Sequence, residues 1–200
     1  MKEEGGCGGG GMSFQSLLTA VSIGAEKDGM RRVAVSASEE LMRQMAVRQE
    51  HDIFNAATPP VFPASTGLVL ASPLTLLHMF MDPEQWSSVF SNIVSTATTL
   101  EVLFPWEKEK PNNGALQVMT AEFYLPSPLF RGGEVKFARM CRETGYKTWV
   151  VVDFSLETVF PGAGAISSHP TRRRPSGCLI QELHPGVSMV TWVDNMQCGT

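Results

Sequence analysis

The chain changes its hydrophobic rhythm part of the way along. Up to about residue 94 the apolar positions recur at helical spacing, and from Thr96 onward they alternate or run at strand length. Ser36 to His51 reads as a helix, with Ser36 and Glu39 placed as a capping box and Leu41, Met42, Met45 and Ala46 sharing one face. Phe14 to Ile23 has the makings of a shorter one. Gly67 to Ala71 (GLVLA) is short, apolar and strand-like. Ser72 then caps a helix whose first position is Pro73, where the missing N–H costs nothing. Asp82-Pro83 repeats the device, so two helices are predicted, Pro73 to Met81 and Pro83 to about Val94, meeting at a bend. Leu76, Leu77 and Phe80 should bury the first helix, and Trp86, Val89, Phe90 and Ile93 the second.

Strands are expected near 97–104, 114–125, 134–142, 147–155, 177–183 and 187–195, each closed by Gly, Pro or Asn. Between them lie a charged loop over 105–113 and a Gly/Pro/Ser-rich loop over 160–174. Short consecutive strands after a run of helices predict an α+β domain built on an antiparallel sheet. The stretches around that core read as a flexible Gly-rich leader over 1–33, an amphipathic helix with a Pro-rich connection over 34–66, and the sheet domain over 67–200.

Composition narrows the function classes. With 200 residues, 43% of them hydrophobic, the chain is long enough for one domain with a packed core. A formal charge of −4 argues against a nucleic-acid surface spread over the whole chain. No run approaches the roughly 18 apolar residues that cross a bilayer, and no apolar segment of signal-peptide kind follows the start. Cys7, Cys141, Cys178 and Cys198 are scattered, without a CxxC pair or a histidine at ligand spacing, so buried or free thiols in a reducing compartment are expected, not zinc. The glycines of Met1 to Gly11 have no strand before them and no GK[ST] after them, which removes a phosphate loop. His51, His78, His169 and His184 have no nucleophile motif beside them. His78 falls in a helix that reads as buried, and His184, before Pro185-Gly186, in a hairpin turn.

Several segments resemble one known family. Met81-Asp82-x-x-Gln85-Trp86-x-x-Val89-Phe90, Gly114-Ala115-Leu116-Gln117-Val118-Met119-x-Ala121-Glu122, Ser127-Pro128-Leu129, Trp149-x-Val151-Val152-Asp153-x-Ser155, Arg173-Arg174-Pro175-Ser176-Gly177-Cys178 and Val190-Thr191-Trp192-Val193 resemble the START domain of plant class IV homeodomain–leucine zipper proteins. The likeness covers roughly Gly67 to Asn195, and Ala34 to Val47 looks like the helix that precedes that domain. It implies a START-like helix-grip fold: a curved antiparallel sheet, with N-terminal helices, wrapped around an apolar cavity. It also implies a lipid or sterol as ligand, no catalysis, no metal or other cofactor, and nuclear localisation, otherwise cytoplasmic. Homo- or hetero-association with related START-containing regulators follows from the same likeness. No homeodomain pattern is found, so direct contact with nucleic acid is not expected. The family's opening strands are expected to be reduced here, and its long C-terminal helix absent. On that reading the domain is incomplete at the C-terminus and its concave face open, which leaves a second possibility: a protein-interaction fragment, or a decayed gene product, that binds no lipid.

One polar line stands out within the strands. Hairpin pairing of 114–125 with 134–142, and of 134–142 with 147–155, would set Glu122, Arg139 and Asp153 on one face. They are either a cross-strand ion-pair group on the solvated side or a polar handle on the cavity wall, since the resemblance implies an acid–arginine pair there. The triplet Arg172 to Arg174 sits inside the family's loop-to-strand motif and is given a structural role, ahead of a nuclear address or a phosphate contact.

Overall fold

A computed structural model describes residues 24–54, 64–106, 114–124, 134–156 and 175–195. Helix α1 (Gly24–Phe54) is followed by strand β1 (Ala64–Val69), helices α2 (Pro73–Met81) and α3 (Pro83–Val89), and six strands: β2 (Val94–Phe104), β3 (Ala115–Phe123), β4 (Glu134–Gly145), β5 (Thr148–Ser155), β6 (Ser176–His184) and β7 (Val187–Val193). All neighbours pair antiparallel in a seven-stranded sheet of order β1-β7-β6-β5-β4-β3-β2. This is the α+β, antiparallel architecture that the strand-length runs predict. Expectations for the glycine-rich opening, the helix over 14–23, the connection at 55–63, the loop over 160–174 and the Arg172–Arg174 triplet fall outside the described residues, as do those for Cys7, Cys198 and His169.

The strands alternate their side chains between two cores. On one face Met30, Ala34, Ala37, Leu41 and Met45 of α1 lie against Leu116, Val118, Ala138, Met140, Val150, Val152 and Phe154. On the other face Leu76, Leu77, Phe80 and Trp86 of α2 and α3 lie against Met119, Phe137, Cys141, Val151, Cys178 and Ile180. A strand covered on both sides should read as an apolar run, and Val150-Val151-Val152 does so.

Three local expectations are corrected. First, α1 begins at Gly24, so residues 24–33 belong to a helix and not to a flexible leader, and Ser36 is an exposed residue inside it with no terminus to cap. Met30 and Ala34 extend the buried stripe one turn earlier, and that packing carries the helix through Gly29. Second, α3 ends at Val89. Phe90 closes it by donating to the Trp86 carbonyl, and the chain then turns into β2 at Val94, which leaves Val89 and Ile93 exposed. Third, His78 lies on the exposed side of α2.

Two polar residues on the sheet-facing side of α1, Ser38 and Gln44, are matched. Ser38 Oγ donates to the Val35 carbonyl and accepts from Arg142 Nε at 2.9 Å, while Asn195 Nδ2 donates to Gln44 Oε1 at 2.6 Å. Both long bonds satisfy groups that burial would otherwise penalise.

Gly177 marks the tightest approach within the sheet. Its φ of +149° is in the range side chains avoid, and a Cβ there would collide with the carbonyl oxygen of Val151 on the neighbouring strand. Gly177→Ala is therefore expected to cost about 2–4 kcal/mol, read as a lower urea midpoint at unchanged m-value.

Candidate functional site

The site is built around the bend between α2 and α3. Ser72 starts α2, its Oγ accepting from Thr75 N, and Pro73 follows. Asp82 ends that helix and starts the next. Its N–H donates to the His78 carbonyl, and its Oδ1 accepts from Glu84 N at 2.9 Å and Gln85 N at 3.1 Å. Those bonds, that from Gln85 N foremost, hold the Asp82 carboxyl below the usual carboxylate range.

The capping has a consequence one turn back. A continuous helix would send Glu84 N and Gln85 N to the carbonyls of Phe80 and Met81, so the Asp82 cap leaves those two oxygens without helical partners. The sheet supplies them. Arg139 Nη1 donates to the Phe80 carbonyl at 2.7 Å, and Gln117 Nε2 donates to the Met81 carbonyl at 2.9 Å. Arg139 is in turn gripped by Asp153: Nε donates to Oδ1 at 2.6 Å and Nη2 to Oδ2 at 2.7 Å. The guanidinium lies 4.0 Å from the Trp86 ring centre and 5.3 Å from that of Phe137. Its side chain is 1% exposed and that of Asp153 16%.

Gln117, Arg139 and Asp153 are direct register partners across β3, β4 and β5. The structure thus brings Arg139 and Asp153 together but not Glu122. Glu122 pairs with Glu134, is exposed, and points to the opposite side of the sheet. The reason is register: Gln117 faces Arg139, and Glu122, an odd number of residues further on, belongs to the other face. Sequence reading missed Gln117. The signal was the shared alternation of Gln117, Met119 and Ala121 on the buried side of β3.

Around this polar row the face is aromatic. Phe80, Phe90 and Trp192 have ring centres 5.7–5.9 Å apart, and Trp86 meets Phe123 and Phe137 edge-on at 6.2 Å. Beside it lies a cavity of about 40 Å³ lined by Leu74, Leu77, His78, Met81, Trp106 and Cys141. One water occupies roughly 30 Å³ of liquid, whereas small-molecule sites run to roughly 300–1,000 Å³. Leu74, Leu77, His78 and Met81 of α2 form one wall of this cavity. Among the described residues α2 and α3 cover the centre of this face.

Among the described residues no group of three or more His, Cys, Asp or Glu is placed to hold a metal ion, and no helix is long and apolar enough to cross a membrane. Cys141 and Cys178 are buried free thiols. Burial pushes the Cys141 thiol from 9.0 up to about 11 and that of Cys178 higher still.

The START domain family matches residues 35–199. Homeobox-leucine zipper protein HDG3 of Arabidopsis thaliana is 40% identical over 132 residues, 66% of this chain and 18% of its own length. ANTHOCYANINLESS 2, a homeobox-leucine zipper protein of the same plant, is 31% identical over 200 residues, covering 94% of this chain and 24% of the relative. ROC9 of Oryza sativa subsp. japonica is 36% identical over 132 residues, 66% of this chain and 16% of its own. The chain therefore spans about a fifth of the length of these curated relatives. Among solved structures, human STARD10 matches with a TM-score of 0.44 at 15% identity, covering 68% of this chain and 52% of that one.

Two outcomes follow from the geometry. Arg139→Met strands a partly buried carboxylate and the Phe80 carbonyl, so it should cost about 3–5 kcal/mol in urea unfolding, whereas Gln117→Leu should cost about 1–3 kcal/mol. The raised thiols fix a sign with pH. In the fold they stay protonated while the unfolded chain ionises, so their contribution is intact below pH 9.0 and is lost as pH rises toward about 11. Peptide-resolved iodoacetamide labelling at pH 8 should leave Cys141 and Cys178 unmodified until denaturant is added.

Proposed function

The chain belongs to the START domain family, and from that premise we propose that it is a non-catalytic lipid- or sterol-binding module. The observation that carries this reading is the Arg139–Asp153 pair, its guanidinium buried, set in an aromatic and aliphatic face beside a small cavity walled in part by α2. A structural ion pair needs no adjoining cavity, and an apolar core needs no charge. An amphiphile with one polar head and an apolar body requires both.

Entry of such a ligand requires the α2–α3 bend to lift from the sheet. The donors that now serve the Phe80 and Met81 carbonyls are then free for a hydroxyl, carbonyl or carboxylate of the ligand, while Asp153 keeps Arg139 oriented. Apolar burial, at about 25 cal/mol per Å², drives the exchange. The ligand head thus replaces two helix carbonyls on donors that are already in place. In this reading Glu122 takes no part.

The relatives are named homeobox-leucine zipper proteins, which supports a role for the module within nuclear transcriptional regulation. It would report lipid state there without reading DNA or catalysing a reaction, and related START-containing chains are its partners of choice. The 40 Å³ cavity favours a second reading, a protein-interaction domain whose cavity stays shut.

Lipid extraction and native mass spectrometry of the purified chain separate the two. A co-purified lipid or sterol near one per chain is expected, with retention falling about tenfold in Gln117→Leu, which removes one donor. A folded chain that carries no lipid, and takes none from vesicles of mixed phospholipid and sterol, overturns the lipid reading.

A further inference from the structure

The sheet has two edges, and they are built differently. β2, at one end of the strand order, breaks register with β3 at three places, between Val94 and Thr96, Thr99 and Glu101, and Val102 and Phe104. Bulges and charges such as Glu101 are the usual means of stopping an edge from recruiting another strand. β1, at the other end, has neither. It keeps an unbroken register with β7 from Ala64↔Val193 to Val69↔Ser188, and its sequence ASTGLV holds no charge and no proline.

Among the described residues β1 is also uncovered on its outer side. Leu68 is 69% exposed and Leu70, just past the strand, 88%. Ser65, Thr66 and Gly67 are exposed, and a Cβ added at Gly67 would meet nothing within 4 Å. Among the described residues no segment pairs with this edge. The chain just before it contains Pro59, Pro60 and Pro63, and proline lacks the N–H that a ladder needs.

We propose that β1 is a pairing edge for a second copy of this chain. Two β1 strands run antiparallel about a two-fold axis near Gly67 and join two sheets into one. A second copy fits because an antiparallel edge is complementary to itself under a two-fold, each outward N–H of one strand meeting a C=O of the other. The strand is uncharged, so the net charge of −4 on each copy puts no like charges opposite one another in the ladder. Pairing about Gly67 sets each Leu68 across from a Thr66 and brings the two Leu68 side chains into diagonal reach on one face. That contact removes from water an apolar side chain the monomer leaves exposed. The inference is independent of the lipid reading, since a dimer with an empty cavity satisfies it.

Sedimentation velocity of the full chain over the micromolar range, combined with hydrogen exchange, tests it. The expected result is a monomer–dimer equilibrium in which amides within Ala64–Val69 gain protection as concentration rises. Leu68→Lys, an exposed change, should raise the dissociation constant about tenfold or more. Ser65→Lys on the other face of the strand should act likewise, and Val102→Lys on the bulged edge should not. Far-UV circular dichroism and the melting temperature confirm that each variant is folded. A chain that stays monomeric throughout overturns the proposal. So does a dimer without added protection at β1, or one broken by Val102→Lys and not by Leu68→Lys.

Discussion

The interaction on which the rest of the site depends is the buried Arg139–Asp153 pair and the helix carbonyl it holds. Desolvating a guanidinium is costly, and here each part of the cost has an answer: a bidentate carboxylate on the next strand, the Phe80 oxygen, and the face of Trp86. The demand runs the other way as well. Asp82 caps α3 with the N–H groups that α2 would have used, so the α2–α3 bend exists only where outside donors meet its last carbonyls. Arg139 and Gln117 are those donors. Sheet and bend complete each other.

This mutual dependence explains why helices cover both faces of the sheet in different ways. α1 lies along its face with an aliphatic stripe and is fixed at two polar points, Ser38–Arg142 and Gln44–Asn195. α2 and α3 are short, and neither is long enough to be stable from propensity alone. They are held by Leu76, Leu77, Phe80 and Trp86 together with polar bonds that a competing acceptor can replace. The first arrangement is suited to permanence and the second to exchange. On the proposed lipid reading, a module that admits an amphiphile needs one wall of each kind.

The same contrast appears at the sheet margins. Three register breaks and a charge guard β2, while β1 is regular, neutral and uncovered among the described residues. An edge left in that condition is normally a liability, and pairing between copies turns it into an interface.

Much of this was legible in the chain itself, because its signals are local. Strand boundaries followed from apolar runs closed by Gly and Pro, and the two short helices from Ser72-Pro73 and Asp82-Pro83, whose side chains and rings act on neighbouring backbone. The pairing of Arg139 with Asp153 was legible too, since a tight turn at Tyr146-Lys147 fixes the register of β4 on β5. The position of Glu122 was not, because the longer connection between β3 and β4 leaves the register to packing, and packing selected Gln117 as the partner of Arg139. The start of α1 ahead of its apparent capping box was likewise decided by burial of Met30 and Ala34 against the sheet. How α2 and α3 cover their face of the sheet was a tertiary matter as well. It turns on where α2 comes to rest, and that depends on two carbonyls meeting donors more than thirty residues away along the chain.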